Sequence, residues 1–265
     1  MTEHVRIMQD LGVLRLHLDK PEKRNALDDA MVAALIDAID GAGRDDSVRA
    51  ILLTAEGDHF CSGFDVVARN DTTAERKPRV GAIQRRLPSQ AHRLVPLMTS
   101  VQVPIVASVR GWAVGIGLQL AAASDFAIAT HDALLWEPFV ERGFTPDSGA
   151  TWLLPRLVGP ARAREMLLLG RKVTGTEAEA WGLVHRAVAA DELDATVDAV
   201  VRQLASGPTI ALGLTKWLLH AGASAALDEQ LRNEGFALEL SSRSSDFREG
   251  LAALVQKRPP DFEGR

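Results

Sequence analysis

Hydrophobic and polar positions follow two different periods in the first half of the chain. Residues 14–18 alternate between leucine and polar side chains, and this period of two predicts a half-buried strand. Residues 31–39 carry apolar side chains on one helical face, and Asp28 precedes them as a candidate N-cap. Short apolar runs at 50–54, 104–109 and 126–129 predict buried strands. Strands that alternate with helices indicate an α/β fold.

Helical periodicity dominates the rest of the chain. The predicted helices lie at 150–157, 160–169, 176–182, 192–206, 209–220, 224–243 and 246–256. Residues 67–90 differ from both parts, because they are rich in Arg, Lys, Asp, Thr and Pro and show weak periodicity. Such a segment is either a solvated surface excursion or a mobile border of a pocket.

Composition narrows the class of protein. The 265 residues are 46% hydrophobic and 25% charged, which is typical of a soluble globular protein with a sizeable core. The net charge of −5 does not favour nucleic acid as a partner. Cys61 has no cysteine partner for a disulfide, which fits a cytoplasmic location. No signal peptide, membrane-spanning run or metal-ligand spacing is expected.

Two turns rich in small residues are candidates for chemistry. They read C-S-G-F-D at 61–65 and G-I-G-L-Q at 115–119. Neither is a nucleotide-binding fingerprint or a nucleophile elbow. Each can present backbone N–H groups at the start of a helix, and two such groups that converge form an oxyanion hole. Tight packing of a helix on a sheet would select the same glycines.

Six motifs in order along the chain carry a family resemblance. They are P-E-K-R-N-A-L (21–27), F-C-S-G-F-D (60–65), V-R-G-W-A-V-G-I-G-L-Q-L-A-A-A-S-D (109–125), G-F-T-P-D-S-G-A-T-W-L-L-P-R-L-V-G (143–159), G-R-K-V-T-G-T-E-A-E-A-W-G-L-V (170–184) and R-E-G-L-A-A-L-V-Q-K-R-P-P-D-F (248–262). The chain thereby resembles the enoyl-CoA hydratase/isomerase (crotonase) superfamily. The resemblance implies a ClpP-like spiral of ββα units over 1–200 and a helical trimerisation region over 201–265. It also implies homotrimers or hexamers that act on acyl-CoA thioesters.

The same resemblance assigns site residues. The backbone N–H groups of Phe64 and Ile116 are the implied oxyanion donors. The residues implied to lie along coenzyme A or its acyl group are Arg24, Asn25, Ala26, Ser62, Gly63, Val66, Gln119, Phe139 and Lys257. Coenzyme A enters as part of the substrate, so no separate cofactor and no metal are expected.

The carboxylates decide which reaction is expected. Family hydratases use two glutamates, and the corresponding positions here are Gln119 and Phe139. Glu137 and Glu141 are offset from these positions, and we interpret them as loop or surface charges. Asp147 stands where some family isomerases carry an aspartate, although the following S-G-A-T-W-L-L also suits it as a helix N-cap.

The branch that this chain resembles most contains 1,2-epoxyphenylacetyl-CoA isomerases, which also convert Δ3- to Δ2-enoyl-CoA. The resemblance rests on P-D-S-G-A-T-W-L-L-P-R (146–156), L-G-L-T-K (212–216), L-D-E-Q-L (227–231) and S-S-D-F-R-E-G (244–250). It implies that Asp147 moves a proton from C2 to C4 through an enolate. The alternatives are weak hydration, hydrolysis with Asp147 as nucleophile, or a CoA-ester-binding paralogue without catalysis. Cys61 lacks an evident activating base, which disfavours it as a nucleophile.

Overall fold

The computed structural model describes residues 3–65 and 80–265. Most of the predicted irregular segment therefore lies outside the described residues. The strands are β1 Val5–Asp10, β2 Val13–Leu18, β3 Ala50–Ala55, β4 Ile105–Val109, β5 Trp112–Val114, β6 Phe126–Thr130, β7 Leu134–Trp136, β8 Val173–Thr174 and β9 Arg186–Val188. The helices are α1 Asp29–Ala42, α2 Ala82–Arg86, α3 Leu94–Ser100, α4 Ile116–Ala123, α5 Ala150–Leu168, α6 Gly175–Trp181, α7 Leu193–Ala205, α8 Thr209–Gly222, α9 Leu227–Ser241 and α10 Ser245–Gln256.

Two sheets organise the described part of the chain. The larger sheet has the strand order β1-β2-β3-β4-β6-β9, and its strands are parallel except for the antiparallel pair of β1 and β2. The smaller sheet has the order β5-β7-β8, with β5 and β7 parallel. Parallel strands covered on both faces read as continuous apolar runs, which explains why β3 and β4 were predictable. The predicted α/β architecture is confirmed.

Helix α1 buries the apolar stripe that the sequence pattern predicts. Its apolar stripe is buried, with Met31, Leu35 and Ile39 all at 0% exposure. The Asp28 carboxylate accepts a hydrogen bond from the Met31 N–H at 2.9 Å, which satisfies one of the unpaired donors of the first turn. The predicted N-cap is confirmed.

Helix α5 consists of two helical halves. Gly159 lies between them with φ 76° and ψ 164°, outside the helical region, and Pro160 follows it. A proline removes a backbone donor and clashes with the preceding turn, so the helix bends where the two predicted segments meet. The first half begins directly after the turn that contains Asp147.

The last three helices carry many large apolar side chains on their surface. The exposed ones in α8–α10 are Leu219, Leu227, Leu231, Phe236, Leu238, Leu240, Phe247, Leu251, Leu254 and Val255. Exposed apolar side chains in this number make these helices a candidate interaction surface. None of the helices in the described ranges is both long and apolar enough to span a bilayer.

Candidate active site

The ends of two parallel strands place the residues that follow them side by side. Val114 of β5 is in register with Trp136 of β7, and the Gly115 N–H donates to the Trp136 carbonyl at 3.0 Å. Ile116 therefore begins α4 next to the position of Glu137. Gly115 has φ +52° and ψ −124°, a conformation that favours glycine, and α4 begins directly after it.

The turn 61–65 packs against the same place. The Cys61 N–H donates to the Trp112 carbonyl and the Cys61 carbonyl accepts from the Val114 N–H, both at 2.9 Å. A β-carbon on Gly117 would lie 2.5 Å from the Cys61 carbonyl oxygen, so only glycine permits this approach. The two turns predicted to carry the oxyanion donors are thus in direct contact. Ile116 is the first residue of α4, where the amide N–H has no partner within the helix.

Cys61 itself is sealed from solvent. Its side chain is 0% exposed, and burial raises the pKa of the thiol to about 12. Because the thiolate is the nucleophilic form, this environment keeps the sulfur inert. The low rank given to Cys61 as a nucleophile agrees with this environment.

The interpretation of Glu137 as a surface charge is wrong. Glu137 is 0% exposed, and the Gln119 Nε2 donates to its Oε1 at 2.7 Å, with Gln119 only 1% exposed. Burial raises the pKa of Glu137 well above 4.5, and the negative charge of Asp147 raises it further. Glu141 is exposed, as expected. The missed signal was the apolar L-L-W run before Glu137, which forms β7 and carries Glu137 into the interior.

Asp147 is half-buried in the turn that precedes α5. The N-cap of α5 is Gly149, in the left-handed region at φ 93°, and no side chain caps the helix there. The interpretation of Asp147 as N-cap is therefore wrong. Ser148 also has a positive φ of 51° and is buried, with no hydrogen-bond partner for its hydroxyl among the described residues. Strain of this kind in a non-glycine residue is characteristic of functional sites.

The stretch from Glu137 to Trp152 carries three aromatic side chains. Phe139 is 5% exposed, and its ring meets that of Phe144 edge to face at a centroid distance of 5.4 Å. Phe144 and Trp152 are 45% and 39% exposed, so they do not seal the site in the single chain. Trp152, with Ser148 and Gly149, lines a cavity of about 510 Å³ that borders the Asp147 turn. The Phe139 position thus supplies an apolar wall and no carboxylate.

Two of the residues predicted to contact coenzyme A, Arg24 and Asn25, lie in a loop that hydrogen bonds hold to its neighbours. Arg24 is exposed, and its carbonyl accepts from the Ser62 N–H at 3.0 Å, which holds the two loops together. Asn25 is 0% exposed, and its amide bonds the backbone of Lys20, Glu56 and His59, so its side chain pins loops.

Four other residues were also predicted to lie along coenzyme A or its acyl group, namely Ala26, Gly63, Val66 and Lys257. Ala26 is buried, and Gly63 lies against β5, where a β-carbon would be 3.2 Å from the Val114 carbonyl oxygen. Val66 lies outside the described residues. Lys257 is exposed after α10, and among the described residues no hydrogen bond or ion pair joins it to loop 24–26.

Comparisons with known proteins cover nearly the whole chain. The sequence model described as enoyl-CoA hydratase/isomerase matches residues 9–265. A 1,2-epoxyphenylacetyl-CoA isomerase of Escherichia coli (strain K12) is 36% identical over 265 residues, 100% of both chains. A crotonyl-CoA hydratase of Syntrophomonas wolfei is 29% identical, over 98% of each chain. A crystal structure of an enoyl-CoA hydratase from Bacillus anthracis superposes with a TM-score of 0.90 at 28% identity, over 99% of this chain and 100% of that one.

Proposed function

The chain belongs to the enoyl-CoA hydratase/isomerase family, and we propose that it is an acyl-CoA isomerase with Asp147 as its acid/base. Such an enzyme shifts a Δ3 double bond to Δ2 or isomerises an aryl epoxide-CoA. The observation that carries the proposal is the set of carboxyl groups. Asp147 is partly accessible, whereas Glu137 is sealed against Gln119, and Phe139 is apolar.

The proposed mechanism needs one base. The thioester oxygen accepts hydrogen bonds from the N–H groups of Phe64 and Ile116, which makes the C2 proton more acidic. The Asp147 carboxylate removes that proton, and the electron pair delocalises into a dienolate held by the same donors. The carboxylic acid of Asp147 then returns the proton to C4 and is a carboxylate again. Protons and charge balance without any further reactant.

Hydration makes a different demand on the site. A water molecule must be oriented and deprotonated, and the family's two glutamates for this purpose are replaced by Gln119 and Phe139. An amide side chain cannot act as the base. The apolar ring of Phe139 also offers no hydrogen-bonding group to hold a water molecule. We therefore rank hydratase activity second, and hydrolysis through Asp147 or a binding-only paralogue below it.

Product analysis tests the proposal directly. The protein is incubated separately with 3-enoyl-CoA, 2-enoyl-CoA and an aryl epoxide-CoA, and the products are separated and identified. We expect isomerisation of the 3-enoyl-CoA or of the epoxide to exceed hydration of the 2-enoyl-CoA by about 10²-fold or more, since a positioned acid/base group contributes about 10²–10⁴-fold and hydration lacks its two glutamates. Rapid hydration together with an unchanged 3-enoyl-CoA would contradict the proposal and favour a hydratase.

We also propose that the exposed apolar faces of α8–α10 are buried in a homotrimer or a hexamer. They belong to three successive helices at the end of the chain, and large apolar side chains exposed in this number are a common feature of protein–protein interfaces. Sedimentation equilibrium should then give a mass of three or six times 28.6 kDa. A monomeric mass at micromolar concentration would contradict this assembly.

A further inference from the structure

Glu137 is a carboxyl side chain for which the proposed mechanism has no role, yet it lies at the centre of the site. It follows β7 directly, as Gly115 and Ile116 follow β5, and the two strands end in register. It is completely buried and is hydrogen-bonded to Gln119, one helical turn after Ile116. Glu137 thus lies close to the amide that we expect to bind the thioester oxygen.

One hydrogen bond joins Glu137 and Gln119, and one oxygen atom of each side chain has no partner among the described residues. Gln119 Nε2 donates to Glu137 Oε1, while Glu137 Oε2 and Gln119 Oε1 have no partner among the described residues. An ionised carboxylate is an acceptor only, so two acceptors would lie buried and unsatisfied. A proton on Oε2 turns it into a donor, and Gln119 Oε1 is the unused acceptor of the same two groups. An acid and an amide can then share two hydrogen bonds.

The surroundings favour the same protonation state. A buried carboxylate without a cation is costly, because it loses its hydration. Among the causes that raise the pKa of Glu137, burial comes first and the negative charge of Asp147 second. Asp147 lies on the turn before α5, and Gln119 on α4 is uncharged. Both causes act on Glu137 in the same direction and favour its neutral acid form.

We propose that Glu137 is a positioning residue that forms a neutral, doubly hydrogen-bonded pair with Gln119 and so keeps a second negative charge away from the enolate that Asp147 generates. The kinetic part of this inference rests on the proposed isomerase function. Ionisation of Glu137 would place a charge beside the oxyanion and oppose its formation. As the pH rises through the raised pKa of Glu137, the proton is lost and kcat falls.

Infrared spectroscopy tests the protonation state without any turnover. Spectra of the wild-type protein and of Glu137→Gln are subtracted at pH 6, where an ordinary exposed glutamate is already ionised. We expect the difference to contain the carbonyl band of a protonated carboxylic acid, which the same subtraction with Glu141→Gln lacks, since Glu141 is exposed. Carboxylate bands in place of the acid band would overturn the neutral pair. The variant is isosteric, and its circular dichroism spectrum verifies that it folds.

The pH profile of kcat tests the role. We expect wild-type kcat to fall at alkaline pH, whereas Glu137→Gln keeps a kcat within about threefold of the wild-type maximum and shows no such fall, because an amide cannot ionise. Identical profiles for the two proteins would overturn the positioning role. If neither protein isomerises any of the three substrates, the proposed function fails, while the infrared result still decides whether the pair is neutral.

Discussion

Replacement of Asp147 by asparagine is expected to lower kcat for isomerisation by about 10²–10⁴-fold, the usual contribution of a positioned acid/base group. Asparagine has nearly the same shape and cannot take up the C2 proton. KM should change little, since the coenzyme A contacts and the oxyanion donors are untouched. The measurement is steady-state conversion of 3-enoyl-CoA to 2-enoyl-CoA by the wild-type protein and the variant.

The matched control for this experiment is Glu141→Gln. Glu141 lies in the same stretch between β7 and α5, but it is exposed. It should retain activity within about twofold, because surface substitutions away from a site perturb little. Full isomerase activity in Asp147→Asn would show that another group moves the proton.

Gly117→Ala is expected to disable the site through packing alone. The new β-carbon would lie 2.5 Å from the Cys61 carbonyl oxygen and 2.7 Å from the Cys61 β-carbon, so the turn and α4 must separate. Overpacking of this kind costs about 1–3 kcal/mol of unfolding free energy. Displacement of one oxyanion donor lowers kcat by a further ~10²–10³-fold. Chemical denaturation and the isomerase assay measure the two effects separately.

Gly41→Ala is the control for the substitution of a helical glycine. A β-carbon at Gly41 of α1 meets no atom within 4 Å. Alanine is the better helix former, so this variant should be as stable as the wild type or up to about 1 kcal/mol more stable. If Gly117→Ala kept both wild-type stability and wild-type kcat, the close approach of the two turns would be irrelevant to function.

Much of the fold is predictable because its signals are local. The buried stripe of α1, its Asp28 cap and the division of α5 at Gly159 follow from side-chain spacing and backbone chemistry within a few residues. The very short strands were not predictable in this way. A three-residue strand such as β5 or β7 has too few positions for a period to appear, and its pairing partner is distant in sequence.

The parts of the candidate site that depend on backbone position were predictable from the sequence. The burial of its side chains was not. The contact between the Cys61 turn and α4 follows from Gly117, which the glycine-rich motif already contains. The exposure of Glu137 was predicted wrongly, because it depends on tertiary packing that the local sequence does not show. A glutamate in a presumed loop is ordinarily solvated. The alternative interpretation of Asp147 as N-cap fails because Ser148 and Gly149 both adopt positive φ, so that Gly149 is the N-cap and α5 begins at Ala150.

The parallel strands β5 and β7 lead to two different parts of the candidate site. The predicted thioester contact follows β5, whereas Glu137 and Phe139 follow β7. Substitutions after β7 therefore change side chains of the site, while the backbone amide of Ile116 that we expect to bind the carbonyl is kept. A combinatorial library restricted to positions 137 and 139 would explore different reactions on the same thioester scaffold, and its members could be sorted by product instead of by affinity.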